Sequence, residues 1–190
     1  PMTYTKLNLG CGQYPKEGYL NVDVDIKSKA DKVIDLSKFP YDLPSNQFEL
    51  IQADHIFEHL EYQVQTMKEI YRILKPRGLL HIRVPHFSRG FTHWEHKRGF
   101  DVFYPLYFQK EFKGGYVGID FTLKKMTLHW FAQPYLKKQT LSFFQYMVGS
   151  VLGIIFDFFS SLSPYACSRI WCFWVGGFEE VEFIFEKPEV

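Results

Sequence analysis

The turn Gly10-Cys11-Gly12 ends a short apolar segment, and the next extended segment finishes on Asp23 and Asp25. Two glycines around one small residue let the backbone approach a ligand closely and leave amides free to bond it. A carboxylate at the end of the following strand can accept two hydrogen bonds from ribose hydroxyls. Together they describe a nucleoside site, although Gly-x-Gly alone also serves ordinary strand ends. A second group of residues could move protons: Glu58 and His59, His86, and then His93, Glu95, His96 and Asp101. Histidine is suited to accept a hydroxyl proton near neutral pH. His59 has an equal reading as a capping or packing residue at a helix start, and His81 and His129 lie inside strand patterns, where a structural role is expected. His93 and His96 are three apart and could share an ion with His86, with Glu95 and Asp101 as oxygen donors. That spacing does not require an ion, and no divalent metal is expected. Cys11 fits a small-residue slot rather than a nucleophile.

Such residues must be carried to one edge by regular elements. Lys6–Leu9 reads as a strand running into the glycine turn, followed by strands over Gly18–Val24, Asp31–Leu36 and Phe48–Ala53. From Glu61 to Leu74, the residues Val64, Met67, Ile70, Tyr71 and Leu74 recur at helical spacing, and Lys75, Pro76 and Gly78 end the helix. Leu79–Val84 reads as apolar on both faces, as at the centre of a parallel sheet covered by helices. Residues 85–107 form a long loop rich in His and aromatics, Phe121–Phe131 a further strand, and Phe178–Glu186 the last strand. The expected class is α/β: a three-layer, doubly wound, mostly parallel sheet with a helical, aromatic-rich insertion before the last strand. Such sheets bind ligands outside the carboxyl ends of their strands, where strand order reverses.

The succession LNLGCG, NVDVD, ADKVIDL, FELIQADHIFEHL and RILKPRGLLHIRVP, over roughly residues 6 to 86, resembles the class I, Rossmann-like methyltransferases that use S-adenosylmethionine (SAM). The resemblance implies SAM as co-substrate. It assigns Leu9, Gly10, Cys11 and Gly12 to the cofactor turn, Asp23 and Val24 to the ribose end, and Asp35 with Leu36 to the adenine. Asp25 is the alternative for the ribose. Asp54 and His55 would flank the reacting end. One departure is that nine residues separate Gly12 from Val22, too few for the usual full first helix. A dinucleotide oxidoreductase also uses a glycine turn and a strand-ending acid, but Pro15 stands where its third glycine would be.

The stretch VPHFSRGFTHWEHKRGF resembles a subgroup of predicted methyltransferases of glycan and cell-surface polysaccharide biosynthesis, through His96, Lys97, Arg98 and Phe100. Trp94 and Glu95 replace the aspartate and proline usual there. This implies methylation of a sugar hydroxyl, with His86 or His96 as general base, Glu58 and His59 at the same edge, and Trp94 stacking on a pyranose. The alternatives are another small-molecule acceptor, or a cofactor-binding partner subunit without activity.

Composition narrows the rest. With 190 residues, 46% hydrophobic and 23% charged, the chain suits one domain, 1–190. Its cofactor half would be 6–86, a loop and helical acceptor side 87–177, and a final strand 178–187. A net charge of +1 without basic runs gives no nucleic-acid footprint. Three cysteines and no signal peptide ahead of the first strand suggest the cytoplasm, with Pro1 read as a cloning remnant. Aromatic content of 19% exceeds ordinary need. Much of it lies near the apolar helix 141–162, where Gln145, Gly149, Gly153, Asp157 and Ser161 form one stripe. Burial in the domain, a homodimer face, or contact with a membrane surface aided by Lys137, Lys138, Trp171 and Trp174 are the three readings.

Overall fold

The computed structural model describes residues 4–89 and 93–189. Pro1 and three residues of the loop after the fifth strand lie outside them. Strands β1 (Lys6–Leu9), β2 (Leu20–Asp23), β3 (Lys32–Val33), β4 (Phe48–Asp54), β5 (Leu74–Pro85), β6 (Thr122–His129) and β7 (Glu180–Glu186) form one sheet in the order β3-β2-β1-β4-β5-β7-β6. β1 to β5 pair parallel, and β7 runs antiparallel to both β5 and β6. The doubly wound class expected from the sequence is the one observed.

Side chains alternate across this sheet, as the strand period requires. Leu7, Leu9, Ile51, Ala53, Leu80, Ile82, Val84, Val181 and Phe183 are buried in the core. Helix α1 (Gln63–Ile73) contributes Met67, Ile70 and Ile73 to that core, and the single turn Tyr104–Phe108 contributes Phe108. The opposite face carries a polar ladder. Asn8 bonds Asn21 at 3.0 Å, Gln52 bonds His81 at 3.2 Å, and Glu182 binds His81 at 2.6 Å and Arg83 at 3.1 Å. β5 is therefore apolar on one face only, not on both. Among the described residues the crossovers β1–β2, β2–β3 and β3–β4 contain no α-helix, so these positions hydrogen-bond to one another instead of packing under one.

Two strands differ from expectation by more than two residues at an end. β3 pairs over two residues, because Asp35 already begins a turn in which its carboxylate accepts from Ser37. β5 starts earlier, at Leu74, and takes in Lys75–Gly78 as an irregular entry, with Arg77 at a φ of 62°. Gly78 suits that entry, since a Cβ there would meet the Phe48 carbonyl at 2.9 Å.

Helices α2 (Pro134–Thr140), α3 (Phe143–Leu162) and α4 (Pro164–Arg169) fill the insertion before β7. α3 opens with a capping box in which Ser142 and Gln145 bond reciprocally. It packs beside the edge strand β6 through Gly149, Gly153 and Asp157, the middle of its small-residue stripe, while Gln145 and Ser161 at the ends stay exposed. A Cβ on Gly149 or Gly153 would stand 2.7 or 2.8 Å from Phe131, and Asp157 accepts from His129 and the Trp130 amide, both at 2.8 Å. The opposite side of α3 is exposed, with Phe143 at 82% and Ile154 at 72%.

Candidate active site

Leu9 is in register with Val22 on one side and Ala53 on the other, so the carboxyl ends of β1, β2 and β4 lie level. Strand order reverses between β1 and β4, where an open sheet leaves a crevice. Gly10 enters that crevice at a φ of +65°, and a Cβ there would stand 2.6 Å from Ile56 Cδ1. Glycine is needed for both reasons. The Gly12 amide donates to Asp23 Oδ2 at 2.8 Å, and the Asp25 amide to Oδ1 at 2.9 Å. Asp35 accepts from the Ser37 hydroxyl and amide, which hold its carboxyl below the usual carboxylate range.

A cavity of about 260 Å³ joins these groups. Gly10, Asp23, Val24, Asp35 and Leu36 line it, as the sequence suggests. Leu9 and Cys11 lie buried behind the turn and support it from the core. Ile34, Ser37, Ile56, His59, Leu60, Tyr62 and Lys97 complete the wall. Ile56, Leu60 and Tyr62 carry no chemistry that a sequence could flag. Their role follows from the turn after β4, which forms around a left-handed His55 at a φ of 54°.

Asp54 and His55 do not line this cavity. Asp54 is held by Lys16 Nζ at 2.7 Å. His55 bridges Glu180 at 2.7 Å and Glu58 at 3.3 Å. Burial works to lower the His55 pKa, but the hydrogen bond to Glu180 and the nearby Glu58 carboxylate outweigh it and push the value up to about 9. Both residues face the neighbouring space instead, a pocket of about 430 Å³ with Arg83, His129 and Tyr135.

That space continues into a pocket of about 530 Å³ lined by His55, Glu58, His59, His93 and His96, with Arg89, Lys137 and Glu179. His59 belongs to this pocket and to the cavity of about 260 Å³ beside the glycine turn. The loop carrying His93 and His96 is pinned across the turn Phe57–His59 by the Lys97 amide, which donates to the Glu58 carbonyl at 2.9 Å. Lys97 Nζ also reaches Glu61 at 2.8 Å. The His96 ring lies 5.0 Å from His59 and 4.9 Å from His93. Glu58 is fully buried, and neither carboxylate oxygen has a hydrogen-bond partner. Trp94 is exposed at the mouth, beside His96 and Lys97.

Of the proton-moving candidates, Glu58, His59, His93 and His96 thus converge. His86 does not. It is fully buried, with Nδ1 bonded to Ser88 at 2.7 Å and Nε2 to Ser168 at 2.9 Å. Burial, helped by Arg169, lowers its pKa to about 4. A histidine with both nitrogens engaged and the charged form suppressed is a structural tie between the β5 exit and α4, not a general base. The ion set His86–His93–His96 falls for the same reason, and Asp101 is occupied by Arg169 at 2.6 Å. His81 and His129 are structural, bonded to Glu182 and Asp157.

Residues 16–82 match the family described as a methyltransferase domain. A SAM-dependent methyltransferase from Archaeoglobus fulgidus superposes with a TM-score of 0.57 at 18% identity, over 96% of this chain and 85% of that one. Another, from Mesorhizobium loti, gives 0.56 at 13% identity, over 95% and 90%. The chain has the Rossmann-like methyltransferase fold. The domain match, with this fold, implies SAM as co-substrate. The cyclase SpnF has a similar fold, with a TM-score of 0.55 at 15% identity over 97% of this chain and 74% of that one. A methyltransferase fold therefore does not dictate the reaction, which has to be read from the site. No curated protein matches the chain significantly in sequence.

Proposed function

We propose that the chain is a SAM-dependent methyltransferase that methylates a hydroxyl of a sugar or glycan precursor. The observation that carries this is His59, which lines both the cavity holding Gly10, Asp23 and Asp35 and the histidine pocket beside it. A donor in the first and an acceptor in the second would meet across one side chain. The sulfonium donor is already activated, so the protein needs to align the acceptor and remove its proton. His59, His93 and His96 form the wall that the hydroxyl would face, and Trp94 offers an exposed ring to a sugar face. The exposed apolar side of α3, continued by Phe173 and Trp174, supports a peripheral position on a membrane, where a lipid-linked glycan acceptor is at hand. A second reading is a chain that acts only together with a partner subunit. A Haloferax volcanii chain of similar fold (TM-score 0.54, 12% identity, over 98% of this chain and 84% of that one) was solved in complex with the Trm112 methyltransferase activator.

The test is calorimetric titration with SAM and S-adenosylhomocysteine, followed by transfer of labelled methyl from SAM to a panel of sugars and lipid-linked glycans. Saturable binding and label in a glycan hydroxyl are expected. No binding at millimolar SAM would reject the reading, and binding without transfer would favour the need for a partner subunit.

A further inference from the structure

We infer that Glu58, His59 and His96 form a site for one divalent transition-metal ion of the zinc class. One donor atom from each lies within 4.8 Å of the other two. The carboxylate is the decisive member. It is fully buried, neither oxygen is hydrogen-bonded, and the nearest charge, His55, stands off at 3.3 Å, an arrangement folds avoid unless the group serves a function or binds an ion. Beside its Oε1 stand the ring nitrogens His55 Nδ1 at 3.3 Å and His96 Nε2 at 3.9 Å.

Two imidazoles and one carboxylate are a donor set for borderline divalent ions. Three protein ligands leave room for water or an acceptor oxygen, as in catalytic rather than structural zinc sites. The fold holds the donors from two directions. Glu58 and His59 sit on the single turn after β4, and His96 comes from the loop that the Lys97 amide fastens to Glu58. Behind the carboxylate stands His55, its other nitrogen on Glu180 at 2.7 Å, the kind of outer contact that orients a ligand. The pocket's cations do not oppose an ion, because Lys137 and Arg89 are both paired with Glu179. The existence of the site is independent of the methyltransferase reading. Its use rests on that reading: an ion there would bind the acceptor hydroxyl and lower its pKa, leaving His93 to receive the proton.

The test is titration of metal-stripped full-length protein with Co²⁺, read by its visible absorption and by Zn²⁺ competition. About one equivalent should bind. Glu58→Gln and His96→Ala, checked for folding by circular dichroism, should each weaken binding more than about 10-fold, and His93→Ala should leave it intact. SAM titrations of the same samples keep the two readings apart. Absence of Co²⁺ binding by the folded wild type, or equal binding by both ligand variants, overturns the metal site whatever SAM does. Loss of SAM binding with Co²⁺ binding intact counts against the methyltransferase reading alone.

Discussion

The Gly12 amide donates to the Asp23 carboxylate at 2.8 Å, so the acid at the end of β2 holds the glycine turn while it faces the cofactor cavity. Asp23→Ala should therefore lose a charge-assisted ligand bond and loosen the turn. A loss of about 2 kcal/mol in SAM affinity, roughly 30-fold, is expected by calorimetry. Asp23→Asn should lose less. Unchanged affinity would move the ribose contact to Asp25.

Gly10 faces Ile56, and two penalties meet there. Gly10→Ala must adopt a φ of +65° and push against Ile56 Cδ1 at 2.6 Å. Thermal unfolding should show a loss on the order of 1–3 kcal/mol, with weakened SAM binding. Adding Ile56→Ala removes the clash but not the backbone cost, so it should restore part of the stability. Full restoration would show that φ at this position matters little.

How far the sequence reached is visible in these two pairs. Gly10 and Asp23 are legible because glycine and a strand-ending acid are rare solutions to specific backbone and ligand demands. Ile56 is an unremarkable aliphatic residue that becomes a cavity wall only through the left-handed turn at His55. His86 is the instructive failure. Its place at the carboxyl end of β5 fits a base, yet Ser168, far along the chain, takes its second nitrogen, and no periodicity reveals that pairing. β5 was misread because Leu79, Leu80, Ile82 and Val84 dominate the eye, whereas His81 and Arg83 mark a polar face. The doubly wound, mostly parallel class follows from the alternation of elements, whereas the strand order is set by which edges pair in space. The missing crossover helices were legible only between β1 and β2, where the spacing is too short.

The buried, neutral His86 predicts acid sensitivity. Its folded pKa of about 4 lies below an ordinary value near 6.5, so the unfolded chain takes up a proton that the folded chain refuses. This contribution to stability is complete above pH 6.5 and falls away as pH drops toward 4, by on the order of 3 kcal/mol over the interval. Denaturant titrations at a series of pH values should show this slope in the wild type. His86→Gln should be less stable at pH 7 but lack that slope, while retaining methyl transfer where folded. Loss of transfer by a folded His86→Gln protein would return His86 to the proton-moving group.

The exposed face of α3 yields the last prediction. By length and composition α3 could cross a membrane, yet its Gly149 and Gly153 are packed on Phe131 and its Asp157 is bonded to His129 and Trp130. A helix fastened along one side and apolar on the other is built to lie against a surface rather than to span. Phe143, Phe158 and Trp174, exposed at 82%, 61% and 81%, would enter the interface, with Lys138 exposed on the neighbouring α2. The protein should float with anionic vesicles in a density gradient, bind neutral ones less, and lose flotation when Phe143, Phe144 and Phe158 are changed to Ser. Those substitutions touch no core residue, so the melting temperature should hold. A wild type that stays off vesicles and sediments as a dimer, converted to monomer by the same substitutions, would assign the face to a second copy of the chain instead.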